Sequence, residues 1–228
     1  MNHYVRNALL CSALTAAFTA NAAAQSAAAV LSRLDSASAG FRSATAHIER
    51  ITHTAIINES LTETGTLRMM RAKGAVHLYL EFTKPDPKTY AFHDRKAEVY
   101  FPKIQTVQEY DVGKQKGLVE QFILLGFGTS GKELTKNYEV TFMAEENTGG
   151  QKAARIQLNP KSAKTREYFT KVELWINPEG RTIRQKFFQP SGDTTTVTYT
   201  NLVWNPALTP DALSLKLPAG VKREYPQR

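Results

Sequence analysis

The sequence predicts a mainly β fold of the α+β class, in which a curled antiparallel sheet forms an unclosed half-barrel with a helical lid or plug in its concave face. Between Gly65 and Tyr110, short segments alternate apolar and polar residues, which is the period-two pattern of strands with one buried face. The whole chain offers ten or eleven predicted strands, and so many strands in a short chain favour a sheet that curls. Two or three helical segments remain to cover the concave side.

Residues 1–24 have the pattern of a cleaved secretory signal peptide. One arginine precedes an apolar run from Ala8 to Ala20, and small residues follow up to Ala24, so we expect cleavage after Ala24. Cys11 lies inside the apolar run, which does not suit the lipid-attachment cysteine of a lipoprotein signal. The mature protein is therefore expected to be soluble, periplasmic and not itself lipidated.

Residues 25–228 are expected to form a single domain. Cleavage leaves 228 − 24 = 204 residues, which is enough for one substantial core, and no linker or repeat divides them. Cys11 is the only cysteine, so the mature chain has no thiol chemistry. The formal charge of +8 is spread as single Lys and Arg residues, without the basic clusters and stacking aromatics of nucleic-acid-binding proteins. We therefore expect no nucleic-acid partner, and we expect a monomer.

The first half of this domain is predicted to be one helix followed by strands. The helix covers Ser26–Ser38, where Val30, Leu31 and Leu34 form an apolar stripe and Gly40 supplies a stop. Turn-forming residues separate the strands, so sequential antiparallel pairing is expected. The predicted strands are Phe41–Ile57, Leu61–Arg71, Ala75–Thr83, Lys88–His93, Ala97–Phe101 and Ile104–Tyr110.

The second half is predicted to begin with a helix over Gln115–Leu125. Apolar residues recur there at helical spacing, and the glycine-rich residues 126–131 that follow are predicted to be a flexible hinge. The remaining predicted strands are Tyr138–Ala144, Ala153–Asn159, Phe169–Asn177, Thr182–Gln189 and Thr194–Trp204.

The glycine-rich segment contains a partial nucleotide-binding pattern. Residues 126–132, Gly-Phe-Gly-Thr-Ser-Gly-Lys, satisfy GxGxxG and most of GxxxxGK. Both motifs require a preceding strand and a following helix. Here a predicted helix precedes the motif, and Glu133 stands where a phosphate loop has Ser or Thr. Nucleotide binding is therefore disfavoured.

Catalytic and metal-binding patterns are weak in this sequence. The histidines of the mature chain, His47, His53, His77 and His93, form no HExxH motif or clustered ligand set. No GxSxG nucleophile motif precedes a helix. We therefore expect no enzymatic activity, no metal and no cofactor, and a hydrolase that uses one histidine stays open as an alternative.

The apolar faces of the predicted strands allow two interpretations. They form either an ordinary packed core, which is the commoner arrangement, or the lining of a cavity that binds lipid. The clearest such face, on the second and third predicted strands, consists of Leu67, Met69, Val76, Leu78, Leu80 and Phe82.

The order of features over nearly all of the mature chain resembles that of LolA, the family of periplasmic carriers of outer-membrane lipoproteins. Ser-Arg-Leu-Asp at 32–35 resembles the opening helix of the family. Gly-Thr-Leu-Arg-Met-Met-Arg at 65–71 resembles the strand that carries its functional arginine. His-Asp-Arg-Lys at 93–96, leading to Val-Tyr-Phe-Pro at 99–102, resembles its Asp-Gly-Lys turn and aromatic strand. Residues 213–221 resemble its closing alternation of apolar residues before Pro-x-Gly-Val.

The resemblance implies an apolar cavity covered by helices that move aside when acyl chains enter. Arg71 would control the lid by donating hydrogen bonds to carbonyl groups at a helix end in the closed state. Two departures are present: Ala72 replaces the proline that follows the arginine in the family, and Asp94-Arg95 replaces Asp-Gly. The residues expected to bind acyl chains are Leu67, Met69, Leu78, Leu80, Phe82, Phe92, Val99 and Phe101 in the cavity wall and Leu118, Phe122 and Leu125 in its cover.

The same resemblance implies the partners and the role. The protein would receive acylated lipoproteins from an inner-membrane ABC-type lipoprotein-releasing transporter and pass them to an outer-membrane acceptor, either a protein or the membrane itself. Two alternatives stay open: carriage of another envelope lipid or glycolipid, and the sensing of lipoproteins within a stress-signalling complex.

Overall fold

The structure, a computed structural model, describes residues 27–72, 75–93 and 95–226, and it does not describe the side chain of Leu118. The predicted signal peptide and Asp94 lie outside the described residues. No helix within those residues is both long enough and apolar enough to cross a membrane.

The twelve strands found in the described residues form one sheet. The order across it is β12-β6-β5-β4-β3-β2-β1-β11-β10-β9-β8-β7. All neighbouring strands are antiparallel except the pair formed by β12 and β6, and β12 and β7 are two unpaired edges. The sheet is thus unclosed, and the predicted mainly β half-barrel is confirmed. The strands are β1 (Ser43–Thr54), β2 (Glu59–Ala72), β3 (Ala75–Lys84), β4 (Lys88–His93), β5 (Lys96–Phe101), β6 (Thr106–Asp111), β7 (Tyr138–Thr148), β8 (Gln151–Pro160), β9 (Lys171–Ile176), β10 (Thr182–Phe188), β11 (Thr194–Trp204) and β12 (Lys222–Glu224).

Four α-helices lie in the described residues: α1 (27–39), α2 (Lys116–Leu124), α3 (Gly131–Asn137) and α4 (Ala163–Arg166). Val30 and Leu34 are four residues apart and therefore share one face of α1, and both are buried. Ser130 and Glu133 form a capping box at the start of α3, which satisfies backbone N–H groups that a helix start leaves unpaired. Short 3₁₀ turns cover Pro102–Ile104, Gly113–Gln115 and Pro210–Leu213.

The sheet has an inner face, defined by Leu67 and Met69 of β2. Leu67 lies opposite Leu80, and Met69 lies opposite Leu78. Because cross-strand partners point to the same side of a sheet, this face continues from strand to strand. The pairing of β1 with β11 joins the N-terminal and C-terminal strands, so residues far apart in sequence share the inner face.

Buried side chains form two main clusters along this sheet. One includes Val30 and Leu34 of α1 together with residues of α3 and β7–β9. The other includes Leu67, Met69 and Phe82 with residues of β1 and β11. The helices and the sheet therefore enclose a core that is continuous with the inner face.

Most predicted elements are present, with shifted ends and three additions. The predicted strand Ile104–Tyr110 begins at Thr106 because Pro102 opens a 3₁₀ turn that includes Ile104. The sequence did not predict α3, α4 or β12. Only three residues form β12, and so short a strand has no apolar alternation to identify it.

Candidate functional site: an apolar cavity beneath a helix

An apolar cavity of about 320 Å³ lies between the inner face of the sheet and α2. Hydrophobic and aromatic side chains predominate in its wall, as is usual for sites that bind small molecules. The cavity is lined by Ile48, Arg50, Leu67, Met69, Leu78, Leu80, Phe82, Phe122, Ile123, Phe127, Phe169, Gln185, Phe187, Gln189, Thr195, Val197 and Tyr199.

One wall of the cavity comes from β2 and β3. Their alternating sequences place Leu67, Met69, Leu78 and Leu80 on the same side of two paired strands. Gly65 follows the same alternation, and a Cβ atom added there would lie 1.9 Å from the backbone oxygen of Glu81. The glycine therefore permits the close approach of β2 and β3 that builds this wall.

The opposite wall comes from β1, β10 and β11, which the sequence analysis did not assign to the cavity. Ile48 lies opposite Tyr199, and Arg50 lies opposite Val197. On β10, Phe187 lies opposite Thr195. The sequence contains a partial signal for these residues, because Ile48, Val197 and Tyr199 lie in segments that alternate apolar and polar residues. Only the pairing of β1 with β11 brings them to this cavity.

The cover of the cavity is α2, which contributes Phe122 and Ile123. The ring of Phe122 packs edge-on against that of Phe169, with the centroids 4.9 Å apart. Leu125, which was predicted to cover the cavity, does not line it: its side chain is fully buried in the neighbouring core. The side chain of Leu118 lies outside the described residues.

Two side chains hold the end of α2 against the sheet. The Arg71 Nη2 atom donates a hydrogen bond to the backbone oxygen of Gly128 at 3.1 Å. The Gln185 amide donates to the backbone oxygen of Leu125, and the Tyr199 hydroxyl donates to Gln185 Oε1 at 2.9 Å. Burial raises the pKa of Tyr199 far above its ordinary value, so its hydroxyl stays protonated and remains a donor.

The segment that follows α2 is packed, which corrects the expectation of a flexible hinge over 126–131. Residues 125–129 are all buried. Phe127 packs edge-on against Tyr199 with the ring centroids 4.8 Å apart, and the Thr129 hydroxyl donates to the backbone oxygen of Leu124 at 2.9 Å. Glycine is required at 126, where φ is +81° and a Cβ atom would meet Thr182. We call residues 116–130 the lid.

A partly buried cluster of charges extends from Arg50, which lines one end of the cavity. Arg50 donates through Nε and Nη2 to Oε2 of Glu63 at 2.8 and 2.5 Å, and Lys88 Nζ lies 2.7 Å from Glu63 Oε1. Burial alone would raise the pKa of Glu63, but the hydrogen bonds from Lys88 and Arg50 outweigh it and hold the pKa below its ordinary value. The Arg50 guanidinium also lies over the ring of Phe82, 4.1 Å from its centroid.

Six of the eleven residues expected to bind acyl chains line this one cavity. Phe92, Val99 and Phe101 do not line it. Phe92 is buried on β4, opposite Leu78, one strand beyond the cavity. Val99 and Phe101 are on β5, two strands beyond it. The six that line it are Leu67, Met69, Leu78, Leu80, Phe82 and Phe122.

Residue types that commonly bind metals are dispersed over the described residues. Across the described residues, no three His, Cys, Asp or Glu side chains are grouped closely enough to hold a metal ion. His93 contacts Glu98 at 3.2 Å, and His53 contacts Ser60 at 3.1 Å. These contacts are pairs of neighbouring side chains within the sheet.

Comparisons with known proteins place the chain by its fold. No protein-family model and no curated protein matches the sequence. Among solved structures, MucB is 15% identical with a TM-score of 0.52, over 83% of this chain and 62% of the MucB chain. An uncharacterized conserved protein from Thermus thermophilus is 13% identical with a TM-score of 0.52, over 86% of this chain and 96% of that one. A LolA superfamily protein from Nitrosomonas europaea is 12% identical with a TM-score of 0.41, over 83% of this chain and 97% of that one.

These identities support a likeness of fold alone. The chain spans less than two thirds of the length of MucB, which has also been solved in complex with MucA from Pseudomonas aeruginosa. The single unclosed sheet and the cavity beneath α2 are the architecture that the sequence resemblance implied.

Proposed function

We propose that the protein is a periplasmic carrier that binds the acyl chains of lipoproteins in the cavity beneath the lid and moves them from the inner to the outer membrane. The observation that carries the proposal is the cavity itself, whose walls are mainly apolar and whose cover is the short helix α2. The proposed carrier performs no covalent chemistry and needs no cofactor.

The cargo explains why such a carrier is needed. A triacylated anchor has three chains of about sixteen carbons, and at ~0.8 kcal/mol per buried CH₂ its transfer into water would cost on the order of 40 kcal/mol. Free diffusion between membranes is therefore excluded. A carrier must offer a comparable apolar surface when loaded and cover it when empty.

The cavity is too small for that cargo while the lid is closed. Sites for one drug-sized ligand have volumes of roughly 300–1,000 Å³, so a cavity of about 320 Å³ is small beside three chains of about sixteen carbons. The lid must therefore move before three chains enter. The lid also packs against the sheet through buried side chains such as Phe127. Its displacement would therefore break apolar contacts together with the hydrogen bonds from Arg71 and Gln185.

Transfer would begin at an inner-membrane ABC-type transporter and end at an outer-membrane acceptor. The proposal is tested by isolating tagged protein gently from its native periplasm and identifying the bound molecules by mass spectrometry. Bound acylated lipoproteins would support the carrier. Depletion of the protein should also retain lipoproteins in the inner membrane, and an unchanged distribution would contradict the proposed transport.

A second function is favoured by the likeness to MucB, which forms a complex with MucA. In that alternative the same cavity would sense an acylated molecule, and the protein would regulate a membrane-bound partner. Recovery of a stable protein partner, with lipoprotein distribution unchanged on depletion, would favour the sensor. Recovery of a free lipid or glycolipid would instead identify a carrier with a different cargo.

A further inference from the structure

The charged cluster of Arg50, Glu63 and Lys88 is unexpected in a cavity for acyl chains. All three side chains lie on the inner face, since Arg50 is opposite Glu63 and Lys88 is opposite Phe82. Arg50 lines the cavity directly. Purely apolar residues would serve acyl chains better, because burying charged groups is unfavourable even when they are paired.

The cluster is not neutral. Two cations share one carboxylate, which leaves a net charge of +1, and the low pKa of Glu63 keeps that carboxylate ionised. Arg50 uses Nε and Nη2 for Glu63, so within the described residues its Nη1 group has no hydrogen-bond partner. The ammonium group of Lys88 pairs with Glu63 at 2.7 Å, and it is also close enough to Asp86 to help lower the pKa of that carboxyl group. An ammonium group has three N–H donors, so the pair with Glu63 leaves others available.

The cluster is also reachable from solvent. Glu63 is only 3% exposed, but the side chains of Arg50 and Lys88 are 21% and 19% exposed. The neighbouring lining residue Thr195 lies two cross-strand pairs further toward the β1–β2 turn than Val197, the partner of Arg50. This end of the cavity is therefore polar and partly open, while the far end, near Met69 and Phe127, is apolar.

We propose that Arg50 and Lys88 form a subsite for the anionic phosphate head group of an acyl lipid whose chain occupies the cavity. Guanidinium and ammonium groups donate charge-assisted hydrogen bonds to phosphate oxygens. Glu63 holds both cations in place before the ligand arrives, which limits the ordering needed on binding. The inference rests on the proposed function, because the chain must enter the cavity for its head group to reach the cluster.

The test compares probes that share one myristoyl chain and differ in their head group. Lysophosphatidylglycerol is anionic, lysophosphatidylcholine is zwitterionic and monomyristoylglycerol is uncharged, and their affinities for the full mature protein are measured below their micelle-forming concentrations. We expect the anionic probe to bind about tenfold more tightly than the uncharged one. That preference should decrease as the salt concentration rises, since the subsite is partly exposed.

Substitutions then test whether the charged cluster causes the preference for the anionic probe. Lys88→Gln leaves the Arg50–Glu63 pair intact and should reduce the difference between the anionic and uncharged probes to about threefold or less, while affinity for the uncharged probe stays the same. Lys88→Arg should retain the preference. Lys186→Gln is the matched control, because Lys186 lies on the other face of β10, beside Phe188.

The outcomes separate the inference from the proposed function. Equal affinities for the three probes in the wild-type protein would overturn the head-group subsite and leave the acyl cavity intact. Binding of inorganic phosphate as tightly as the anionic probe would also overturn it, since the chain would then contribute nothing. Failure of every probe to bind would overturn both. The wild-type comparison decides the matter even if Lys88→Gln does not fold.

Discussion

Arg71 on β2 donates a hydrogen bond to the backbone oxygen of Gly128, 57 residues away in the lid, at 3.1 Å. The contact joins the wall of the cavity to its cover. It is the kind of bond that the sequence resemblance implied for Arg71, namely one to a carbonyl group just beyond a helix end. Control of the lid by Arg71 stays a prediction, and it is the first to test.

Arg71→Leu should loosen the lid. Loss of one charge-assisted hydrogen bond is worth about 1.5–3 kcal/mol, so we expect amides of α2 to exchange with solvent at least about tenfold faster and an acyl probe to enter faster. Arg68→Leu is the control, since Arg68 is on the same strand but packs over Tyr79 on the other face. Equal exchange and loading rates in both variants and the wild type would remove Arg71 from lid control.

Gln185→Leu should weaken the second attachment of the lid. The substitution leaves the buried Leu125 carbonyl and the Tyr199 hydroxyl without their partner, and we expect a loss of about 1–3 kcal/mol in the free energy of unfolding. Adding Tyr199→Phe should recover part of that loss, because it removes the unpaired hydroxyl.

The control for Gln185→Leu is Gln157→Leu. Gln157 contacts Asn159 at 3.2 Å and does not line the cavity. Chemical denaturation measures all four proteins. A loss with Gln157→Leu as large as that with Gln185→Leu would show that the effect is not specific to the lid.

Leu80→Glu places a carboxylate on the apolar wall and should reduce acyl-probe affinity by more than about tenfold, because the charge must be desolvated in the loaded state. Tyr79→Glu is the matched control, since Tyr79 is the adjacent residue of β3 and faces Arg68 on the other side. Displacement of a fluorescent fatty acid measures the affinity. A folded Leu80→Glu protein that binds normally would contradict the assignment of the inner face to the cargo.

Glu63 should make folding stability depend on pH in the acidic range. Its pKa is lowered in the folded protein, so its stabilising contribution is complete above its ordinary value of 4.5 and is lost as pH falls through the lower folded value. Glu63→Gln should destabilise the protein at neutral pH by about 3–5 kcal/mol, because Arg50 and Lys88 lose their counter-charge. Denaturation at several pH values measures both effects.

The difference in stability between the wild-type protein and Glu63→Gln isolates the contribution of Glu63. Other carboxyl groups with lowered pKa values, such as Glu109 and Glu224, are present in both. We expect the difference in stability between wild type and Glu63→Gln to shrink as the pH falls below 4.5. A difference that stays constant over this range would contradict the lowered pKa of Glu63.

The sequence predicted the strands well because alternation is a local property. Leu67, Met69, Leu78 and Leu80 could be assigned to one face from adjacent segments joined by a short turn. The contribution of Tyr199 and Val197 depends on the pairing of β1 with β11, which no local pattern specifies. Arg50 and Glu63 were also missed, although each occupies an apolar position of its strand's alternation, which is a usable sign of an inward charge.

The glycine-rich segment shows the limit of composition as a guide to mobility. Gly126 and Gly128 suggested a hinge, but both glycines allow close packing. A Cβ atom at Gly128 would lie 2.7 Å from the ring of Phe41. A tertiary contact of Phe127 with Tyr199 and a local hydrogen bond from Thr129 to Leu124 hold the segment in place.

If the protein carries acyl chains as proposed, the 320 Å³ volume of the cavity would also make it selective by the number of chains. A ligand with one short chain could then be held with the lid in place, whereas a diacyl or triacyl ligand would require release of the contacts made by Arg71 and Gln185. Binding of a large cargo would then displace the lid, whereas binding of a small one would leave the lid in place. A membrane receptor that recognises the displaced lid would therefore distinguish a loaded carrier from one that has merely acquired a stray fatty acid.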